Sequence, residues 1–222
     1  FKCRCQCPFC VLGKGGRNED SIAVRQEEKR SGSNTTTLGA KEFVAVYEAM
    51  AGHGGKSVLD QGVDGFGGDR ISIETSWALL EASERHGHVF SSVSSCEGVN
   101  DEVCDALTQH PHAYFYASID DVAEEHDRLR GVRALFEHAD DMLVRMLQAG
   151  MQERVTVTSV MFADEDNARL KRILGWLKDI GITRWTINPE LRSMFQSFGT
   201  VPSLTLCEPV NTVRQRFMEM HD

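Results

Sequence analysis

From residue 40 onward, apolar stripes of helical period alternate with short β-rich runs, and this alternation limits the fold more than any other feature. Ala40–Met50 sets Phe43, Val44, Val46, Tyr47 and Met50 on one side of a helix. Lys56–Leu59 opens a strand that leads into the Gly-rich stretch Gly62–Gly68. Glu74–His86 is a helix whose apolar residues are Trp77, Leu79, Leu80 and Ala82. His88–Ser94 and Ala113–Ile119 read as strands around a short helix, Asp101–Gln109, capped by Asn100. Val132–Gln148 reads as one long helix with Leu135, Phe136, Ala139, Met142, Leu143, Met146 and Leu147 at three-and-four spacing, ended by Gly150. A Val- and Thr-rich strand, Val155–Phe162, precedes a helix striped by Leu170, Ile173, Leu174, Leu177 and Ile180 and stopped by Gly181. Thr183–Ile187 is another strand, and a last strand and helix fall at Leu204–Leu206 and Asn211–Met220.

Strands that strictly alternate with helices imply an α/β chain with a parallel sheet and helices outside it. An eight-unit barrel takes about 250 residues. The 222 residues here suit roughly six units, a partial (β/α)6 TIM-type barrel in one domain spanning 1–222. Function in such a sheet sits at the carboxyl ends of the strands, where the Gly-rich stretch, Ser118–Asp121 and Ala163–Asn167 fall. Residues 11–39, rich in Gly, Ser, Thr, Asn and charge from Lys14 on, are expected to form a mobile polar loop.

A net charge of −9 leaves no basic footprint for nucleic acid. No apolar run approaches the ~18 residues of a membrane span, and the polar, Cys-rich start is unlike a signal peptide. Seven cysteines is an odd number, and four of them stand too close together for a useful disulfide framework. A metal or iron–sulfur site in a reducing, cytoplasmic setting fits that usage better.

Those four are Cys3, Cys5, Cys7 and Cys10. Cys3, Cys7 and Cys10 are spaced C-x3-C-x2-C, a triple that holds three irons of a four-iron cluster and leaves the fourth open. The rival reading is a structural zinc site. Cys7 and Cys10 make one C-x2-C pair, but no second pair or nearby His completes a zinc set, and Cys96, Cys104 and Cys207 are solitary.

The segment FKCRCQCPFC resembles the cluster loop of the radical S-adenosylmethionine superfamily, in which an aromatic residue, here Phe9, precedes the last cysteine. Cys5 is an extra cysteine in that pattern. Later segments are similar in order. GFGGDRIS resembles the Gly-Gly-Glu-Pro segment that binds the amino group of S-adenosylmethionine: Gly67 and Gly68 match, Asp69 replaces Glu and Arg70 replaces Pro. ASIDDVAEEHDRLRG is similar to the Ser-x-Asp-Gly and His-Asp-x-x-Arg-Gly segment of the peptide-maturing and molybdopterin-type branches, through Ser118, Asp120, His126, Asp127, Arg130 and Gly131. Asn167 matches an Asn that leads a later helix, where it is equally suited to cap it. SSVSSCEG keeps only Gly98 and a hydroxyl, Ser94 or Ser95, of a Thr-Asn-Gly segment. The barrel strand that precedes the cysteine loop in that superfamily is expected to be missing from this chain, which starts at Phe1.

The resemblance implies a 4Fe–4S cluster on Cys3, Cys7 and Cys10, with S-adenosylmethionine on its open iron. It places Gly67, Gly68 and Asp69 at the amino end, Phe9 against the adenine, and Ser118 and Arg130 (or Arg128) at the ribose or carboxylate. One electron from an external reductant would cleave S-adenosylmethionine to methionine and a 5′-deoxyadenosyl radical, which abstracts hydrogen from a substrate. The His-Asp-x-x-Arg-Gly match leans towards a peptide or protein substrate. Trp185, Asn188 and Glu190 end a later strand, with Trp185 better suited to the core than to a substrate pocket. Two alternatives stay open. One is an iron–sulfur electron carrier or metal-stabilised binding module in which Cys5 completes the ligand set. The other is a degenerate relative with the barrel but no cofactor binding, given Asp69, Arg70 and the missing strand.

Overall fold

The computed structural model describes Cys5, Cys7 and residues 39–60, 64–67, 70–161 and 167–189. Within them, α1 (Ala40–Gly52) and β1 (Ser57–Asp60) precede α2 (Arg70–His86), β2 (Val89–Ser94), α3 (Asp101–Gln109) and β3 (Ala113–Ser118). Then come α4 (Ala123–Arg130), α5 (Leu135–Gln148), β4 (Val155–Met161), α6 (Ala168–Ile180) and β5 (Trp185–Pro189). The expected strand and helix near 204–220 and the polar stretch 11–38 lie outside the described residues.

Five strands form one sheet in the order β1-β2-β3-β4-β5, every pair parallel, and among the described residues the sheet is not closed. Register pairs Val58 with Phe90, Phe90 with Ala113, Phe115 with Val155, and Val157 with Trp185. Those residues share one face, since side chains alternate along a strand. Phe90, Ala113, Phe115, Ala117, Val155 and Val157 are fully buried there. Against them pack Leu79 and Leu80 of α2, Leu107 of α3, Leu143 and Met146 of α5, and Leu170 and Ile173 of α6. The apolar stripes read in the sequence are thus the helix faces turned to the sheet. Each fully buried Leu, Ile, Phe or Met contributes about 1.5–3 kcal/mol of hydrophobic stabilisation.

Local chemistry sets the element ends. The Asn100 side chain accepts from the Val103 N–H at 3.0 Å, capping α3 as expected. The helix expected at Val132–Gln148 is α5, which begins at Leu135, and α4 precedes it where no helix was expected. AEEHDRLR carries no apolar stripe, so periodicity cannot reveal α4. Its cause is polar: Gly131 ends it at φ 67°, and Asp127 accepts from the N–H groups of Ala134 (2.5 Å) and Phe136 (2.8 Å), folding the turn into α5. α2 begins at Arg70, ahead of the expected start at Glu74.

The turn after β2 lies directly on the turn after β1. A Cβ on Gly98 would stand 2.0 Å from the Phe66 carbonyl oxygen and 2.6 Å from the Gly67 Cα. Gly175, inside α6, has open space where a Cβ would go. Gly98→Ala is therefore expected to destabilise by about 1–3 kcal/mol through overpacking. Gly175→Ala should stabilise by about 0.5–1 kcal/mol by reducing unfolded-chain freedom. Urea midpoints of the two variants check both signs.

Candidate functional site

Asp120, just beyond β3 and 1% exposed, is where the strand ends are tied together. One carboxylate oxygen accepts from the Val160 N–H of β4 at 2.8 Å, and the other pairs with the Arg130 guanidinium at 2.5 Å. Its own N–H donates to His126 Nδ1 at 3.1 Å, and its carbonyl accepts from Arg169 of α6. Next to it, Asp121 pairs with Arg172 at 2.7 Å. The turn joining β3 to α4 is thereby held to β4 and α6 by polar bonds in a dry setting, where each is stronger than in water.

Arg130 closes α4 and faces the cysteines. Burial works against its charge, but Asp120, Cys7 and Cys5 outweigh that and hold its pKa above the ordinary value. Cys5 and Cys7 are buried, at 3% and 4% exposure, and pack on Leu135, with Val132 against them. Their thiols hydrogen-bond each other, and this bond together with burial pushes Cys7 upward while Arg130 opposes. Two soft thiol donors beside a fixed cation suit an anionic thiolate–metal group, which releases the thiol protons on binding. By donor chemistry Cys7, with Cys5 beside it, is a side chain that could hold a soft metal group. Cys3, Phe9, Cys10, Gly68 and Asp69 lie outside the described residues, and among the described residues no three His, Cys, Asp or Glu side chains cluster as a metal set.

The Gly-rich turn approaches the same pocket. Asp64 is a functional candidate that sequence reading passed over in favour of Asp69. It is buried and accepts from the Ser95 hydroxyl (2.5 Å) and N–H (2.7 Å) and the Ser94 hydroxyl (2.9 Å). Burial raises its pKa against the downward pull of those bonds, and Cys5 adds a smaller upward push. The available signal was a carboxylate inside a glycine run, GVDGFGG. Phe66 and Cys96, at φ 61° and 71°, hold left-handed backbone at the ends of the first two turns. Such strain costs of order 1–3 kcal/mol per residue and gathers at functional sites. Gly67 sits between Asp64 and Gly98, and the hydroxyls of Ser94 and Ser95 serve to anchor Asp64.

The remaining candidates divide. Ser118 is half-buried at the end of β3, with its hydroxyl 3.5 Å from that of Thr158. Arg128 is exposed and paired with Glu125 at 2.6 Å, on the outside of α4. Asn167 stands at the start of α6. Trp185 packs against the core and donates to the Ser159 hydroxyl at 2.9 Å, whereas Asn188 is exposed on the opposite face of β5. Glu190 lies outside the described residues.

His126 is fully buried beneath this network. Its Nδ1 accepts, which assigns the proton to Nε2, and burial first and Arg130 second lower its pKa from 6.5 to about 4. The folded state therefore binds fewer protons than the unfolded state between those values, so His126 costs stability as pH falls through that window. The loss should reach roughly 2–3 kcal/mol. His126→Gln keeps an acceptor for Asp120 but does not titrate. The difference between wild-type and variant unfolding free energies should shrink steadily from pH 6.5 to 4, and a constant difference would show that His126 does not titrate as described.

No family model matches the chain, and no curated protein matches it significantly. Among solved structures, Streptococcus suis SuiB bound to S-adenosylmethionine superposes with a TM-score of 0.60 at 14% identity, covering 85% of this chain and 37% of SuiB. SuiB bound to the precursor peptide SuiA gives 0.62 at 14% identity over 85% of this chain and 37% of SuiB. SuiB without a named ligand also gives 0.62 at 14% identity, over 86% of this chain and 38% of SuiB. The chain thus spans well under half of SuiB's length. What the two share is the fold, an α/β arrangement of a partial-barrel kind whose parallel sheet is open among the described residues.

Proposed function

We propose that this chain is the core of a radical S-adenosylmethionine enzyme acting on a peptide or protein. The observation that carries the reading is Cys7, buried beside Arg130 at the carboxyl ends of a parallel sheet whose fold matches that of SuiB. Support for the cofactor comes from the SuiB structure with S-adenosylmethionine bound, and support for the substrate class from the one bound to a precursor peptide.

In this reading Cys3, Cys7 and Cys10 hold the 4Fe–4S cluster, and Phe9, Gly67, Gly68, Asp69, Ser118 and Arg130 surround S-adenosylmethionine. Bound there, the cluster would supply one-electron reduction chemistry, drawn from an external reductant, to cleave S-adenosylmethionine and provide a 5′-deoxyadenosyl radical for hydrogen abstraction. The chain's own part is to bind, orient and keep water out. In this reading Gly67 lies at the cofactor's amino end, and a side chain there would crowd the Asp64 carboxylate, with its Cβ 2.9 Å away. Ser118 presents a hydroxyl from the strand end. Arg130, held by Asp120, sets a positive charge beside the thiolates and the carboxylate end of the cofactor. Hydrogen bonds and charge of this kind tune cluster potential. Enzymes of this chemistry need the reducing conditions of the cytoplasm, where we place the protein.

Cys5 packed on Cys7 favours one second reading, an electron carrier or metal-stabilised module with four thiolate ligands. Anaerobic reconstitution followed by dithionite and S-adenosylmethionine separates the two. The enzyme should release 5′-deoxyadenosine, seen by mass spectrometry, and Cys7→Ala should abolish both product and most bound iron. An intact four-iron cluster with no cleavage would sink the enzyme reading.

A further inference from the structure

The outer face of α1 carries what a surface helix normally keeps inside. Its inner side is committed to the fold. Tyr47 is buried with its hydroxyl 2.7 Å from His88 Nδ1, Phe43 and Val44 pack against the core, and Glu48 pairs with Arg85 and His86 of α2. Periodicity alone groups Val46 and Met50 with that side, but they stand 54% and 60% exposed, the two large hydrophobic residues most open to solvent among the described residues. Ala45 and Ala49 beside them are exposed as well. The solvent-facing stripe of a surface helix is ordinarily charged or polar, and these four positions hold no polar side chain. A single exposed apolar residue is normal, whereas a contiguous apolar stripe marks an interaction site.

The stripe matches a second copy of itself. Glu42, Val46, Ala49 and His53 follow one another down its middle at helical steps of four, three and four, with Glu42 and His53 both exposed. Turned end for end about the point midway between Tyr47 and Glu48, this series maps onto itself. Glu42 then meets the partner's His53, and Val46 meets the partner's Ala49. Each end sets a carboxylate against an imidazole, and each step between sets a branched side chain against a methyl group. Glu42 takes the Gly39 N–H at 2.9 Å through one carboxylate oxygen, which fixes it at the head of the helix and leaves the other oxygen for the imidazole. Across the same axis the two Met50 side chains close one flank, while the two Ala45 residues on the other let the backbones come near. A parallel pairing would set Glu42 against the partner's Glu42 instead.

We propose that α1 is a self-association surface, joining two copies of this chain as an antiparallel helix pair with twofold symmetry. The occupant is a second copy because both the charge and the size along the stripe are complementary to the stripe itself. The pairing also leaves the candidate site open. α1 ends at Gly52 and β1 begins at Ser57, so the helix runs opposite to the strands. Two antiparallel α1 helices therefore point the carboxyl ends of the two sheets in opposite directions. A contact built on one helix of 13 residues, about 20 Å long, is small, which places it with weak and reversible pairings. It does not depend on the function proposed above.

Sedimentation velocity of the whole chain, from micromolar to submillimolar concentration, tests the pairing. Reducing conditions exclude disulfides between copies. Wild type should pass from monomer to dimer as concentration rises. Val46→Glu should remain monomeric over the whole range with an unchanged thermal midpoint, since position 46 is exposed. His53→Glu sets two carboxylates together at each end and should weaken association several-fold. Glu42→His combined with His53→Glu should restore it, because the exchanged pair meets again in the antiparallel register alone. A wild-type protein that stays monomeric throughout overturns the inference. A dimer that Val46→Glu leaves intact overturns it too, by placing the contact elsewhere. A double variant that associates no better than His53→Glu overturns the antiparallel register.

Discussion

The Asp120–Arg130 ion pair is the constraint on which the site depends. Burying two charges is costly unless their remaining donors and acceptors are used. Here Asp120 also binds the Val160 N–H, and its backbone binds His126 and Arg169. The pair therefore joins β3, β4, α4 and α6 at one point, and it does so at the carboxyl ends of the strands. Arg130 then presents its charge to Cys5 and Cys7 from a fixed helix end. An arginine is the suitable cation for that place, since it stays charged even when buried. The His-Asp-x-x-Arg-Gly segment thus acts as a unit. His126 takes the Asp120 N–H, Asp127 folds the turn into α5, Arg130 neutralises Asp120, and Gly131 supplies the left-handed cap.

A second tie holds the other half of the site. Asp64 grips the turn after β2 through Ser94 and Ser95, and Gly98 lets that turn lie against Phe66 and Gly67. The two turns support each other, which is how Phe66 and Cys96 remain in left-handed backbone that neither residue type favours alone.

What was legible in the sequence followed from periodicity. The alternation of strands and helices and the helix faces of α2, α5 and α6 rest on apolar spacing, which burial in the core enforces. α4 escaped because its hydrophilic turn is held by side-chain bonds from Asp127, and such bonds leave no periodic trace. At the site, His126, Asp127 and Arg130 were legible as a set, but their partners were not. Asp120 to Val160 is a contact across 40 positions, and Asp64 to Ser95 one across 31. The resemblance of GFGGDRIS pointed to Asp69, the acid that follows the glycine pair, whereas the buried carboxylate is Asp64, within the turn. Periodicity reports which face is apolar; it does not report which distant polar atoms converge.

The second face of the sheet carries the last step of the argument. A parallel sheet covered on both sides reads as near-continuous apolar strands. β2 and β3 instead alternate a buried residue with a half-buried one. The register lines Ser91, Tyr114, Tyr116, Ser118, Thr158, Thr186 and Asn188 on the face turned away from the helix-packed core. Among the described residues that face mixes these hydroxyls with Val89, Val93 and Val160, and most of it is half-buried. It ends between the Asp120–Arg130 anchor and the Asp64 anchor, so the polar side chains of the sheet lead to the polar ties at the strand ends, a pattern unlike the apolar strands of a sheet covered on both sides.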